Sequence, residues 1–256
     1  MAVVGQEHND PFDPGNFGTS WLKKLRHAFS MKLLRFLDGI RTVSPAVAEK
    51  LKQLAPHVPL AVIPVPVSLQ PLPRSEDPAH PRLLYVGRLS PQKNVEGWLD
   101  VAAAVAKAVP GSTFHIVGDG PLRASLETKS NGLAVFHGQI SYSQLAQHFA
   151  SASVLLVPSW YEGFGRVVLE ALICGTPVVA SRTAGPRSML EGTEAGLLFD
   201  PGDTDGMAKA VTDLLQDPAR RDRMREHAAS VVRRFSPETL RREWIDFLLA
   251  AARKRR

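Results

Sequence analysis

From Pro81 onward the chain repeats one pattern: an apolar run of strand length, a longer segment with helical period, then another apolar run. Few folds accept such alternation. Strand-helix units in series build a parallel sheet, because each crossover must bring the chain back to start the next strand in the same direction. Residues 82–88, 113–119, 133–138, 152–159, 176–181 and 195–200 read as six strands, and their near-continuous apolar character says that both sheet faces are covered. Helices are expected over 94–108, 121–129, 142–151, 165–174, 185–191 and 205–216, several opened by the Ser, Asp, Asn or Pro of a cap. The fold class is α/β, a doubly wound Rossmann-like parallel sheet with a partial second domain.

Upstream the texture changes. A basic amphipathic helix is expected over 20–38, a strand over 40–44, a helix over 45–54 and a strand over 60–64. Pro64, Pro66, Pro71, Pro73, Pro78 and Pro81 then break regular structure and mark an interdomain connection. The expected organisation is a first domain over 1–72, a linker over 73–80, the sheet domain over 81–235 and a closing helix over 236–256. With 256 residues and 44% apolar content, the chain buries a real core. Its one cysteine, Cys174, excludes an intrachain disulfide framework and fits a reduced, cytoplasmic setting. It is a poor nucleophile candidate among apolar helix residues. The start "MAVVGQEHNDPFDPG" turns polar after four residues, so neither a secretion signal nor a membrane span is expected. The net charge of +6 suits a nucleic acid, an anionic membrane or a phosphorylated ligand.

Ligands of an open parallel sheet sit beyond the carboxyl ends of its strands, so the loops there form one surface. After the first strand, Gly87 permits a tight turn, and Arg88 and Lys93 place two cations before a helix start that also favours anions. The alternative is two solvated charges. "GDGP" (118–121) and "FHGQIS" (136–141) add glycines at the same edge, as site or as plain turns. In "PSWYEGFGRVVLEALICGTPVVAS" (158–181), Gly163 and Gly165 stand where a helix begins, which leaves amides bare for a phosphate or a sugar hydroxyl. Glu170 falls in the second turn of that helix. An ionised carboxylate accepts from both hydroxyls of a vicinal diol such as ribose, and Glu162 is free to do so for a hexose. Both also read as ordinary acidic residues near a helix start.

"VGRLSPQKN", "IVGDGP", "VFHG", "LLVPSWYEGFGRVVLEALICGTPVVAS" and "GLLFDPGD" resemble, in this order and spacing, the nucleotide-sugar-binding half of retaining glycosyltransferases of the GT-B architecture, family four (group 1). The hallmark is Glu, seven residues, Glu, matched by Glu162 and Glu170. The resemblance implies transfer of a hexosyl group from a nucleoside diphosphate sugar with retention of configuration. It implies catalytic roles for Glu162, Arg88 and Lys93, with donor contacts from Gly87, Arg88, Lys93, Gly118, Ile140, Glu162, Gly163, Phe164, Gly165 and Glu170. Arg88 and Lys93 would hold the diphosphate, Glu162 and the amides after it the sugar, and Glu170 the ribose. Two departures stand out. "TAGPRSML" (183–190) lacks the two adjacent glycines usual in the family. An acceptor domain should precede Pro81, and the chain is expected to begin partway through it, with 3–10 and 38–51 as its matching parts.

Two other classes stay open: a donor-binding module inactive without a partner domain or chain, and a sugar-nucleotide epimerase on the same fold. Asp203-Thr-Asp205 reads as a helix cap rather than a metal motif, and His8, His27, His57, His80, His115, His137, His148 and His227 show no ligand spacing. No cofactor and no metal are expected. Expected partners are the nucleotide sugar and a carbohydrate or lipid-linked acceptor, with no nucleic acid. The apolar face Leu240, Trp244, Phe247 and Leu248 suggests a dimer or a missing domain, and residues 20–38 suggest peripheral contact at the inner membrane face.

Overall fold

The structure, a computed structural model, describes residues 4–7, 33–76 and 79–253. In chain order the strands are β1 Val4–Glu7, β2 Gly39–Thr42, β3 Leu60–Val62, β4 Arg82–Val86, β5 Thr113–Val117, β6 Val135–Gly138, β7 Val154–Val157, β8 Val178–Ser181 and β9 Gly196–Phe199. The helices are α1 Pro45–Leu54, α2 Val95–Ala108, α3 Arg123–Ser130, α4 Tyr142–Ser151, α5 Arg166–Ile173, α6 Ala184–Leu190, α7 Thr204–Gln216, α8 Pro218–Arg234 and α9 Pro237–Arg253. The chain divides into two units, residues 1–66 with 235–256, and residues 67–234.

The larger unit holds six parallel strands in the order β6-β5-β4-β7-β8-β9. Counted from its own first strand this is 3-2-1-4-5-6, so the winding direction reverses between β4 and β7. The α/β reading of the sequence is borne out. Every expected strand is present, one or two residues shorter at one or both ends. One face packs Leu83, Tyr85, Phe114, Ile116, Val154 and Leu156 against α2 and α7, with Trp98 buried edge-on to Tyr85 and Phe114. Caps fix where the helices start. Ser141 and Gln144 form a reciprocal capping box on α4, and Asp203 accepts from the Gly206 amide at 2.9 Å to open α7.

Residues 64–76 form neither helix nor strand, as their prolines require, yet part of the stretch is clamped. Arg74 donates to the carbonyls of Phe149 (2.7 Å) and Ala152 (2.5 Å) and to Glu76 at 2.9 Å. Glu76 also meets Arg221 and Arg225, and Arg221, 2% exposed, donates to the Leu214 carbonyl at 2.5 Å. Burial pushes the Glu76 carboxyl towards neutrality, but Arg221 and hydrogen bonds from Ser153 and Arg74 hold it below its ordinary value.

The smaller unit is a parallel sheet in the order β1-β2-β3. Arg41 donates to the Ile63 and Pro64 carbonyls, 2.7 Å each, and lies over the Trp244 ring of α9. Phe247 packs so close to Gly39 that a Cβ there would stand 2.8 Å from its ring. Of the face expected to be partly bare, Leu240 is buried and Trp244 and Phe247 are half-buried, while Leu248 is exposed, as are its large apolar neighbours Ile245 and Leu249. Of the helix expected over 20–38, residues 20–32 lie outside the described residues. Its end is a 3-10 turn, Leu34–Phe36, because the chain must straighten into β2 at Gly39.

Replacing Glu76 by Gln strands the buried Arg221 charge. Urea denaturation of Glu76→Gln is expected to show a loss of about 3 kcal/mol, and a loss below about 1 kcal/mol would mean that the cluster does not hold the segment.

Candidate active site

The reversal between β4 and β7 sends their outgoing loops apart and leaves a crevice beyond their carboxyl ends. Backbone packing shapes its floor. The Gly87 amide donates to the Val117 carbonyl at 3.0 Å and the Gly118 amide to the Gly138 carbonyl at 2.8 Å, which lines three glycines across the ends of β4, β5 and β6. A Cβ on Gly118 would lie 1.9 Å from the Gly87 carbonyl oxygen, and one on Gly120 would lie 2.4 Å from that of Leu89. No side chain fits at either place.

The loop after β4 is stitched to the loop after β7. Asn94 adopts the left-handed conformation (φ 49°), caps α2 through the Gly97 amide and donates to the Pro158 carbonyl at 3.1 Å. Lys93 Nζ then sits 2.6 Å from Glu162 Oε1, which also accepts from Ser159 Oγ at 3.2 Å. Glu162 is buried, and its charge, after burial itself, helps push the Tyr85 phenol above its ordinary value. Arg88 is exposed and makes no ion pair with a described residue. Gly165, left-handed at φ 74°, is the N-cap of α5 and offers no side chain to its first amides. Gly163 and Phe164 form the turn before it. The Glu162 carbonyl accepts from the Gly185 amide at 2.9 Å, and a Cβ on Gly185 would collide with Phe164 at 2.2 Å. One glycine suffices for that contact in "TAGPRSML".

Glu170 has a different set of partners from Glu162. Its buried carboxylate accepts from Tyr142 Oη at 2.7 Å and from Arg166 Nε at 2.8 Å, and Arg166 also donates to the Tyr142 oxygen. Burial, then the bond to Glu170, raises the Tyr142 phenol. Ile140 stands in the loop between β6 and α4, half-buried. Tyr142, Arg166, Ser159 and Gly185 were not singled out from sequence. The capping Ser141 beside Tyr142 was the one local signal that a side chain would be fixed there. Cys174 is buried, and burial pushes its thiol up to about 11, which makes it an inert packing residue.

Linear spacing gave no ligand set, but β5, β6 and α4 bring His115, His137 and His148 together, their ligand atoms all within 4.8 Å. Chain separation hid what the sheet assembled.

Residues 73–231 match the family model described as glycosyl transferases group 1. The chain belongs to that family. This glycosyl transferase chain is 35% identical over 154 residues to alpha-D-kanosaminyltransferase of Streptomyces kanamyceticus, covering 58% of this chain and 40% of that protein. It is 38% identical over 143 residues to a GDP-mannose-dependent alpha-(1-6)-phosphatidylinositol dimannoside mannosyltransferase of Mycobacterium tuberculosis, covering 55% and 37%. The chain thus spans well under half the length of these curated relatives. Sucrose-phosphate synthase of Thermosynechococcus elongatus superposes with a TM-score of 0.80 at 26% identity, over 97% of this chain and 68% of that one.

Gly118→Ala must push Gly87 away and is expected to lower stability by about 3 kcal/mol or more, read as a fall in the thermal midpoint. An unchanged midpoint would show that the glycine contact does not shape the crevice.

Proposed function

We propose that this chain carries the donor site of a metal-independent, retaining hexosyltransferase that uses a nucleoside diphosphate sugar. The observation that carries the reading is Lys93 paired with Glu162 where the sheet reverses direction. A phosphorylated sugar entering there meets a cation for its diphosphate and a carboxylate for its hydroxyls, already positioned by their mutual bond. Arg88, exposed beside it, supplies the second cation. Gly87 and Gly118 let backbone approach the diphosphate, Ile140 lines the nucleotide, and amides from Gly163, Phe164 and Gly165 meet the sugar. Glu170 takes the ribose hydroxyls, which replace the Tyr142 hydroxyl that it accepts from in the structure.

In the reaction the bond from the anomeric carbon to the diphosphate oxygen breaks, and a bond to the acceptor oxygen forms on the same face. The acceptor proton passes to the departing phosphate. Arg88, Lys93 and the α5 amides stabilise the charge that develops there, an electrostatic form of catalysis by preorganised donors. The relatives' printed names, one of them dependent on GDP-mannose, support this substrate class. Asp203 is committed to capping α7 rather than to a metal.

We extend the reading to partners. The acceptor is a carbohydrate or a lipid-linked sugar, brought close by residues 20–38 lying at an anionic inner membrane face in the cytoplasm. The exposed Ile245, Leu248 and Leu249 of α9 offer apolar surface to a second copy or a partner domain.

Calorimetry with UDP, GDP and ADP tests the donor site. At least one is expected to bind, and Arg88→Ala, Lys93→Ala and Glu170→Gln should each weaken it about tenfold or more, since each removes a charge-assisted hydrogen bond. Binding untouched by all three substitutions sinks the assignment. The membrane reading predicts co-sedimentation with anionic liposomes at low salt and release at high salt; absence of binding at low salt would favour a soluble acceptor.

A further inference from the structure

His115, His137 and His148 are not among the residues proposed to hold the donor. His115 is mid-strand in β5, opposite Leu84 of β4 and Val135 of β6. It alternates with Phe114 and Ile116, which face the main core, so its ring is on the other sheet face. His137 comes from the edge strand β6, next to the register shift between β5 and β6, and His148 from α4. The His115 and His137 rings are nearly parallel, 10° apart with centroids 5.2 Å from one another, and His148 stands edge-on to His137 at 4.3 Å. His115 Nδ1 and His137 Nε2 are 2.9 Å apart, while His148 Nδ1 is buried with no hydrogen-bond partner. Three imidazoles from three elements thus converge, with a single hydrogen bond among them and an orphaned ring nitrogen.

We propose that these three histidines bind a divalent transition metal, with zinc as the best match, and that the ion fastens edge strand β6 and helix α4 to β5. Three neutral nitrogens of borderline softness form a donor set suited to Zn2+, Co2+, Ni2+ or Cu2+ and poor for Mg2+ or Ca2+. Nitrogens around a tetrahedral zinc stand about 3.3 Å apart, as follows from Zn–N bonds of about 2.0–2.1 Å. The trio reaches that spacing by opening the 2.9 Å pair slightly and drawing in nitrogens already within 4.8 Å. Binding replaces one N–H···N bond by three metal bonds and leaves the fourth position open. Arg82, on the same sheet face and turned to Ser151 Oγ at 2.7 Å, opposes a bare dication and selects an anionic fourth ligand such as hydroxide or chloride. The site is structural. None of the three histidines is among the residues proposed to hold the donor, and the ion takes no part in transfer.

The test uses the full chain without an affinity tag, stripped with a chelator and titrated with ZnCl2 by calorimetry and with CoCl2 by visible absorption. The wild-type chain should bind one Zn2+, give the intense d–d bands of tetrahedral Co2+, and gain about 5 °C in thermal midpoint at a hundredfold excess over Kd. His137→Gln and His148→Gln should each weaken Zn2+ binding by about tenfold or more. Should either variant fail to fold, diethyl pyrocarbonate modification of the wild type replaces it: Zn2+ is expected to protect these three histidines, identified by peptide mapping. No stoichiometric binding by the wild type, equal binding by the folded variants, or protection of other histidines alone would overturn the proposal.

Discussion

The crevice edge rests on backbone meeting backbone with no side chain between. Gly118 touches the Gly87 carbonyl, Gly120 that of Leu89 and Gly185 the turn at Phe164, each so closely that a single methyl group would collide. Because these contacts pull three strand ends and two loops together, the amides and charges around them are presented at fixed positions. A larger residue would widen the edge and separate Lys93 from Glu162, whose bond spans two loops 69 residues apart in sequence. Packing thus sets the electrostatics.

Each carboxylate of the crevice is already partnered, Glu162 by Lys93 and Ser159, Glu170 by Tyr142 and Arg166. This keeps two buried charges satisfied when no ligand is present, where an unpaired one would cost several kcal/mol. It also means that any ligand exchanges hydrogen bonds rather than creating them, so selectivity comes from how well a ligand reproduces the geometry it displaces.

Much of this was legible in the sequence because local rules and the global fold agree. Apolar runs of strand length could become nothing but buried parallel strands, and Asp203 at the head of "DTDGMAKAVTDLL" announced a cap that the structure contains. What stayed hidden depends on residues distant in the chain. Arg74 and Glu76 sit in a proline-rich stretch that reads as connection, and the partners of Glu76, Arg221 and Arg225, are indistinguishable by sequence from the other arginines of a polar helix. His115, His137 and His148 share no spacing because three elements deliver them. Trp244 and Phe247 read only as part of an apolar face because nothing local foretells Arg41 and Gly39 beneath them. Register and cross-element geometry, rather than composition, carried that information.

The clamp at Glu76 has a consequence in time. Its partners Arg221 and Arg225 lie 145 and 149 residues further on, so the carboxylate has Arg74 near it in sequence from the start but gains the two helix arginines only when nearly the whole sheet unit has left the ribosome. Until then the leading segment lacks its anchor on α8. The contact that fastens the segment is thus one of long sequence separation, the class that must first close a long loop and that slows folding.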